Sequence, residues 1–154
     1  MISKIEKKFV ASAAILLLVT GLSKIISAFG HAHILELEDP ILRLPHKTVF
    51  LAVGSYEFAV AMFCLCQIGS RFSLKLIAWT ATSISIYRLG LYVGHYQQPC
   101  SCMGNMTEAL HISSQTADVI MKTILAYLLF CSYYFLARNW MKTFGVSARI
   151  EESC

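Results

Sequence analysis

Residues 9–29 read FVASAAILLLVTGLSKIISAF and include one charged side chain, Lys24. As an α-helix this stretch would be about 31 Å long, at about 1.5 Å per residue. The hydrocarbon core of a bilayer is about 30 Å thick, so the stretch is long enough to cross a membrane by itself. Inside lipid the backbone must satisfy its own hydrogen bonds, and a helix does this within one segment. The stretch therefore predicts a transmembrane helix.

Three further apolar stretches predict three further membrane-spanning helices. They cover residues 49–68, 74–94 and 119–137. Only the polar segment 69–73 separates the second stretch from the third, which predicts an antiparallel helical hairpin. The fourth stretch follows Asp118, a residue type that suits a helix N-terminus. We therefore expect an all-α, four-helix transmembrane bundle that forms a single domain over residues 1–154.

The composition indicates lipid as the solvent. Hydrophobic residues make up 56% of the chain and charged residues 14%, whereas soluble domains carry about 25% charged residues. The net charge of +4 does not come from one basic patch, because the Lys and Arg residues lie at the ends of the apolar stretches. We expect contact with the bilayer and no nucleic-acid partner.

An alternative for the first stretch is a cleaved signal peptide, because Lys4, Lys7 and Lys8 precede it and small residues follow it. The apolar region of a signal peptide is about 7–15 residues long, and this stretch is longer. Its removal would also leave an odd number of crossings. We expect it to remain as the first helix.

Basic residues outside the apolar stretches, or at their ends, predict the orientation. Those at the termini and in the middle turn are Lys4, Lys7, Lys8, Arg71, Lys75, Arg138, Lys142 and Arg149. Only Arg43 and Lys47 lie in the other loops. The positive-inside rule places both termini in the cytoplasm, so loops 30–48 and 95–117 face outward. We expect a multi-pass protein of the bacterial cytoplasmic (inner) membrane.

The first outer loop mixes apolar and acidic residues, which is typical of a segment at the membrane interface. Pro40 and Pro45 would break any helix there into short pieces. We expect short interfacial segments in this loop.

Cys100 and Cys102 lie in the motif QPCSCMG at residues 98–104, just beyond the third stretch. Residues at i and i+2 can form a disulfide when the backbone is bent. Pro99 fixes the entry angle, and Gly104 permits a positive φ on exit. So short a bridge adds little stability, and strained or exposed disulfides tend to exchange. The motif favours a reactive dithiol, with a static bridge or unpaired thiols as the alternatives.

Three ionisable residues, Lys24, Glu57 and Arg88, lie inside the first three apolar stretches. Each costs about 2.5–3.5 kcal/mol to insert, so such residues usually pair inside a bundle. Depths of about 9–12 Å below the outer helix ends would place all three in one layer under the loop with the dithiol. The surplus positive charge would lower the pKa of the thiol at Cys100 or Cys102. The layer could instead hold an anionic or quinone-like cofactor, or serve as a structural ion network.

A second hypothesis is metal handling, most plausibly of copper. The soft or imidazole ligands on the outer side are His31, His33, His95, Cys100, Cys102, Met103, Met106 and His111. Their spacing follows no fixed pattern, and the leading hypothesis includes no metal. A third hypothesis is a non-catalytic assembly subunit.

The motifs taken in order resemble a known family. They are GLSK ending at Lys24, SYE ending at Glu57, the pair Tyr87-Arg88 and PCSCMG at residues 99–104. This set is similar to the MauE-like branch of the DoxX-related, redox-associated membrane proteins, from the first predicted helix to the fourth.

The resemblance implies a four-helix membrane bundle that helps to mature the disulfide-rich small subunit of methylamine dehydrogenase, alongside a thioredoxin-like periplasmic partner. It assigns the redox pair to Cys100 and Cys102 and the embedded charges to Lys24, Glu57 and Arg88. The leading hypothesis is accordingly a membrane protein, similar to thiol-disulfide oxidoreductases, that supports disulfide formation in a periplasmic client.

Overall fold

The computed structural model describes residues 3–29, 39, 42–94 and 114–151. These residues form four α-helices and no strand, which confirms the predicted all-α bundle. The helices are α1 (Lys4–Ala28), α2 (His46–Cys66), α3 (Arg71–Val93) and α4 (Ser114–Glu151).

Each helix begins before its apolar stretch, because polar residues that cap a helix or form its first turn precede the apolar ones. At the start of α1 the Ser3 hydroxyl accepts a hydrogen bond from the Glu6 backbone N–H, and the Glu6 carboxylate accepts one from that of Ser3. At the start of α3 the Ser70 hydroxyl accepts a hydrogen bond from the Phe72 backbone N–H at 3.1 Å. Arg71 therefore lies in the first turn of α3 and not in a loop.

The contacts between neighbouring helices show that these helices are antiparallel, because residue numbers rise along one helix while those of its partners fall along the other. Between α2 and α3, the hydroxyls of Tyr56 and Thr80 lie 3.3 Å apart, and the Cys64 thiol lies 3.9 Å from the Ser73 carbonyl oxygen. The same reversal relates α4 to α3 and to α1, in the pairs Thr82–Tyr133, Arg88–Asp118, Phe9–Phe135 and Ser12–Tyr127. Each helix is thus antiparallel to the next one in the chain, which gives an up-down-up-down bundle.

This order gives the bundle two different ends. At the terminal end, α1 and α3 begin and α2 and α4 finish. At the loop end, α1 and α3 finish and α2 and α4 begin, so both long connections, residues 29–45 and 94–113, join helices there.

The surface of the bundle is more apolar than parts of its interior. Trp79 is 69% exposed, Ile86 65% and Phe130 74%. Buried polar side chains within the helices are Glu6, Thr20, Ser23, Lys24, Ser27, Glu57, Ser73, Thr80 and Ser132. Monomeric soluble proteins rarely expose large contiguous apolar surfaces. The described surface therefore suits lipid.

Three helical segments within the described ranges are long and apolar enough to cross a membrane, namely α1, α2 and the part of α4 from Gln115 to Lys142. Helix α3 has 23 residues but a more polar sequence. Two of its hydroxyls are satisfied within the helix, since Thr82 and Ser85 donate to the carbonyl oxygens of residues 78 and 81, both at 2.8 Å. This makes a polar helix compatible with the bundle.

Candidate functional site

Helices α1 and α2 approach most closely at two glycines. A Cβ atom added to Gly21 would lie 2.9 Å from the carbonyl oxygen of Gly54, and one added to Gly54 would lie 2.9 Å from that of Gly21. Both distances are too short for a real side chain, so the two backbones touch here. Small residues permit such an approach between membrane helices.

The close approach brings two predicted site residues together. Lys24 and Glu57 each follow the glycine of their own helix by three residues, so their side chains are neighbours of the contact. The Lys24 ammonium forms an ion pair with Oε1 of Glu57, and the side chains are 9% and 1% exposed. Oε2 of Glu57 is buried and has no hydrogen-bond partner among the described residues. The pair is therefore neutral overall but keeps one unused acceptor.

Arg88, the third predicted charge, has a different described ion-pair partner. Its Nη1 atom lies 3.6 Å from Oδ1 of Asp118 on α4, and the Lys122 ammonium lies 2.6 Å from Oδ2 of the same carboxylate. The described ion pairs thus divide the expected single layer into two groups, because α1 packs mainly on α2, whereas α3 packs mainly on α4. We call Arg88, Asp118 and Lys122 the α3–α4 cluster.

The α3–α4 cluster contains two cations and one carboxylate, so its formal charge is positive. It lies at the loop end, because Asp118 is in the first turns of α4 and Arg88 is in the last turns of α3. The end of the bundle that anchors residues 94–113 is therefore electropositive at this cluster.

A buried carboxylate that was not among the predicted site residues lies at the same end. Asp39 is 1% exposed, and its Oδ2 accepts a hydrogen bond from the Tyr87 hydroxyl on α3. Its Oδ1 accepts one from the Leu42 backbone N–H at 2.9 Å, and its own backbone N–H donates to the Leu44 carbonyl oxygen at 2.8 Å. Nε2 of His46 lies 4.0 Å from Oδ2. Asp39 thus attaches the first loop to α3.

Sequence reasoning placed Asp39 among the polar residues of an interfacial loop. One signal could have identified it: an acidic residue directly before Pro40, in a loop that is rich in apolar residues. A second was Tyr87 beside Arg88 in an apolar stretch, since a buried tyrosine hydroxyl needs a partner. Neither signal indicates that Asp39 and Tyr87 are partners, because the two residues are far apart in the sequence.

The dithiol Cys100 and Cys102, with Pro99 and Gly104, lies outside the described residues. The predicted alternative metal ligands His31 and His33 also lie outside them. In the described part of the chain, no group of three or more His, Cys, Asp and Glu side chains could hold a metal ion.

The cysteines that the structure does describe are free thiols in helices. Cys64 is buried in the core, Cys131 packs against the core, and Cys66 is exposed. The sequence predicts a packing role for Cys64, Cys66 and Cys131; the positions of Cys64 and Cys131 agree with it, whereas the exposed Cys66 does not pack inside the described bundle.

The comparisons with known proteins agree with this architecture. The family model described as methylamine utilisation protein MauE matches residues 7–139, which include α2, α3 and most of α1 and α4. No curated protein and no solved structure matches the chain. The wider DoxX relationship stays a prediction. The apolar helices and the family match identify a multi-pass membrane protein in contact with lipid. The chain belongs to the MauE family, the family of the methylamine utilisation protein MauE.

Proposed function

We propose that this protein is an accessory membrane protein of methylamine utilisation that exchanges disulfides through Cys100 and Cys102. The pair faces outward from a bacterial cytoplasmic membrane, and both termini lie in the cytoplasm. Family membership supports the pathway. The observation that supports the chemistry best is the electropositive α3–α4 cluster at the loop end, where residues 94–113 are anchored.

The length of the connecting chain limits how far the dithiol can lie from the end of α3. Gly94 ends α3, and its backbone N–H donates to the Gly90 carbonyl oxygen at 3.0 Å. Cys100 follows Gly94 by six residues, which span about 20 Å at most when fully extended. Positive charge favours a thiolate over a thiol. A reactive pair in this loop could therefore reach a positive group that raises its thiolate fraction.

The proposed reaction is a two-electron exchange between dithiol and disulfide. One thiolate of the pair attacks a sulfur of a partner disulfide, a new S–S bond forms, and the second partner sulfur leaves as a thiolate and takes up a proton. The remaining thiolate of the pair then attacks the mixed disulfide, which releases the partner as a dithiol and leaves the Cys100–Cys102 disulfide. In reverse, the oxidised pair takes two electrons from a client dithiol and oxidises it.

The proposed partner is a thioredoxin-like extracytoplasmic protein, and the proposed client is a protein that contains disulfides. Both offer the dithiol or disulfide that the exchange requires, so electrons and atoms balance without a further reactant. The buried Lys24–Glu57 pair would act as a positioning element, because it fixes the packing of α1 on α2 beneath the first outer loop.

The test is to replace each cysteine with serine and to follow mixed disulfides in membranes. We expect C100S and C102S each to abolish client oxidation, and one of the two to accumulate a mixed disulfide that reducing agent cleaves. C66S is the matched control, since Cys66 is an exposed free thiol outside the loop. The C66S variant should oxidise the client as the unmodified protein does.

Other outcomes would contradict the proposal. Normal client oxidation in a C100S/C102S double variant would point to a non-catalytic assembly subunit. Stoichiometric copper or zinc that is lost in C100S or in a His31→Ala variant, with client oxidation retained, would point to metal handling.

A further inference from the structure

A groove of about 500 Å³ lies between the start of α3 and the C-terminal half of α4, at the terminal end. Its lining includes the apolar side chains of Leu74, Leu136 and Ala137. Tyr133 and Trp140 line it as well, and Trp140 is 67% exposed. The volume is in the range of about 300–1,000 Å³ that small-molecule sites occupy. The groove could accommodate an apolar chain between the two helices.

Two cations line the same groove. Arg71 and Lys75 lie one turn apart on α3, and both are exposed. Neither forms an ion pair with a carboxylate of the described residues, in contrast to Lys24, Arg88 and Lys122. Their positive charge is therefore available to an anionic ligand at this place.

The groove lies at a depth where lipid headgroups are expected. Arg71 is the first residue of α3, and the preceding turn, residues 67–70, connects α3 to the apolar helix α2. Tryptophan and tyrosine concentrate at the membrane–water interface, where their rings are partly in lipid and partly in water. The two cations match the phosphate of a phospholipid, and the apolar side chains of the groove match its acyl chain. Trp140 lies beside them, as expected for a residue at the interface.

We propose that this groove binds one anionic phospholipid from the leaflet at the terminal end, with its phosphate between Arg71 and Lys75 and an acyl chain along Leu136 and Ala137. The charge complementarity selects the occupant, because a zwitterionic headgroup brings no net negative charge to two cations without carboxylate partners. Basic pockets between membrane helices are known to hold anionic headgroups. The site is independent of the dithiol and lies at the opposite end of the bundle.

The experiment is native mass spectrometry of the full-length protein, titrated with phosphatidylglycerol or with phosphatidylcholine. We expect phosphatidylglycerol to bind the unmodified protein more tightly than phosphatidylcholine. R71Q/K75Q should lower its affinity about thirtyfold, since each interfacial cation contributes about fivefold. The charge-preserving R71K/K75R should retain most of the binding. A137F should also weaken binding without any change in charge, because the new ring would fill the groove.

The matched control is K7Q/K8Q, which removes two exposed cations from α1 at the same end of the bundle. We expect it to change the affinity by less than about twofold. An equal loss in K7Q/K8Q would overturn the proposal in favour of diffuse surface attraction. Equal binding of the two lipids by the unmodified protein, unaltered binding in A137F, or a co-purified peptide in the groove would overturn it too. Melting temperatures of all variants, measured without added lipid, would identify any that fail to fold.

Discussion

At the scale of single residues, the Lys24–Glu57 pair is the best-defined element of the candidate site. Both side chains are buried, and Glu57 has only one of its two carboxylate oxygens in use among the described residues. Taking two charges out of water is costly, and their attraction offsets this cost only while both partners remain. The pair therefore adds little net stability, but it restricts α1 and α2 to packing arrangements in which the two charges meet.

We predict that K24M destabilises the bundle strongly, because it leaves the Glu57 carboxylate buried without its cation. The free energy of unfolding should fall by about 3–5 kcal/mol. A K24M/E57L double variant should lose clearly less than K24M alone, since it removes both charges. Equilibrium unfolding in mixed micelles, arranged as a double-mutant cycle, measures both effects.

The control for this prediction is K122M, because the Lys122 side chain is 68% exposed and pairs at the surface with Asp118. It should change the free energy of unfolding by at most about 1 kcal/mol. If the losses in the K24M and E57L single variants simply added up in the double variant, the two side chains would not be coupled, and the interpretation would be wrong.

At the scale of helices, the contact of Gly21 with Gly54 decides which side chains of α1 and α2 meet. The nearest neighbour of an added Cβ atom at either glycine is a backbone carbonyl oxygen, which cannot turn away as a flexible side chain would. The site thus depends on residues without side chains as much as on charged ones.

We predict that G54A destabilises the protein, although alanine is the better helix former by about 1 kcal/mol. The added Cβ atom would be 2.9 Å from the Gly21 carbonyl oxygen, so α1 and α2 must separate. Overpacking of this kind costs about 1–3 kcal/mol. Thermal unfolding in detergent, with G21A as the reciprocal variant, measures the loss.

The control is G69A in the turn between α2 and α3, where nothing lies within 4 Å of an added Cβ atom. It should leave the melting temperature nearly unchanged. A stabilised G54A variant would show that the helices are free to repack, and would contradict the close contact.

At the scale of the whole molecule, the up-and-down order separates two sets of groups. The loop end contains Asp39 with its partner Tyr87, the α3–α4 cluster, and the end of α3 from which the chain continues to the dithiol. Arg71, Lys75 and the start of α1 are at the terminal end. The proposed redox site and the proposed lipid site, at opposite ends, should therefore be alterable independently.

We predict that the loop end faces away from the cytoplasm. Reporter fusions after residue 142 should be active only as cytoplasmic reporters, and fusions within residues 95–113 only as extracytoplasmic ones, because most basic residues outside the predicted apolar stretches or at their ends lie at the terminal end. Impermeant thiol labelling of whole cells after reduction should modify Cys100 and Cys102. Labelling restricted to lysed cells would place the loop inside and remove the basis of the proposed function.

The sequence by itself determined the four helices, their all-α class, the family and the candidate charges, because hydropathy, capping residues and short motifs are local properties of the chain. The Asp118–Lys122 pair is equally local, since residues four apart on a helix are neighbours. The sequence did not determine the described partner of Arg88, nor the contact of Asp39 with Tyr87.

Those pairings were decided only by the tertiary structure, for a physical reason. A glycine-permitted contact places α1 on α2, so Glu57 meets Lys24, and the packing of α3 on α4 brings Arg88 to Asp118 instead. Asp39 and Tyr87 are 48 residues apart in the chain, and only the fold places them together. Local chemistry specifies which residues need partners in lipid, whereas helix packing selects the partner.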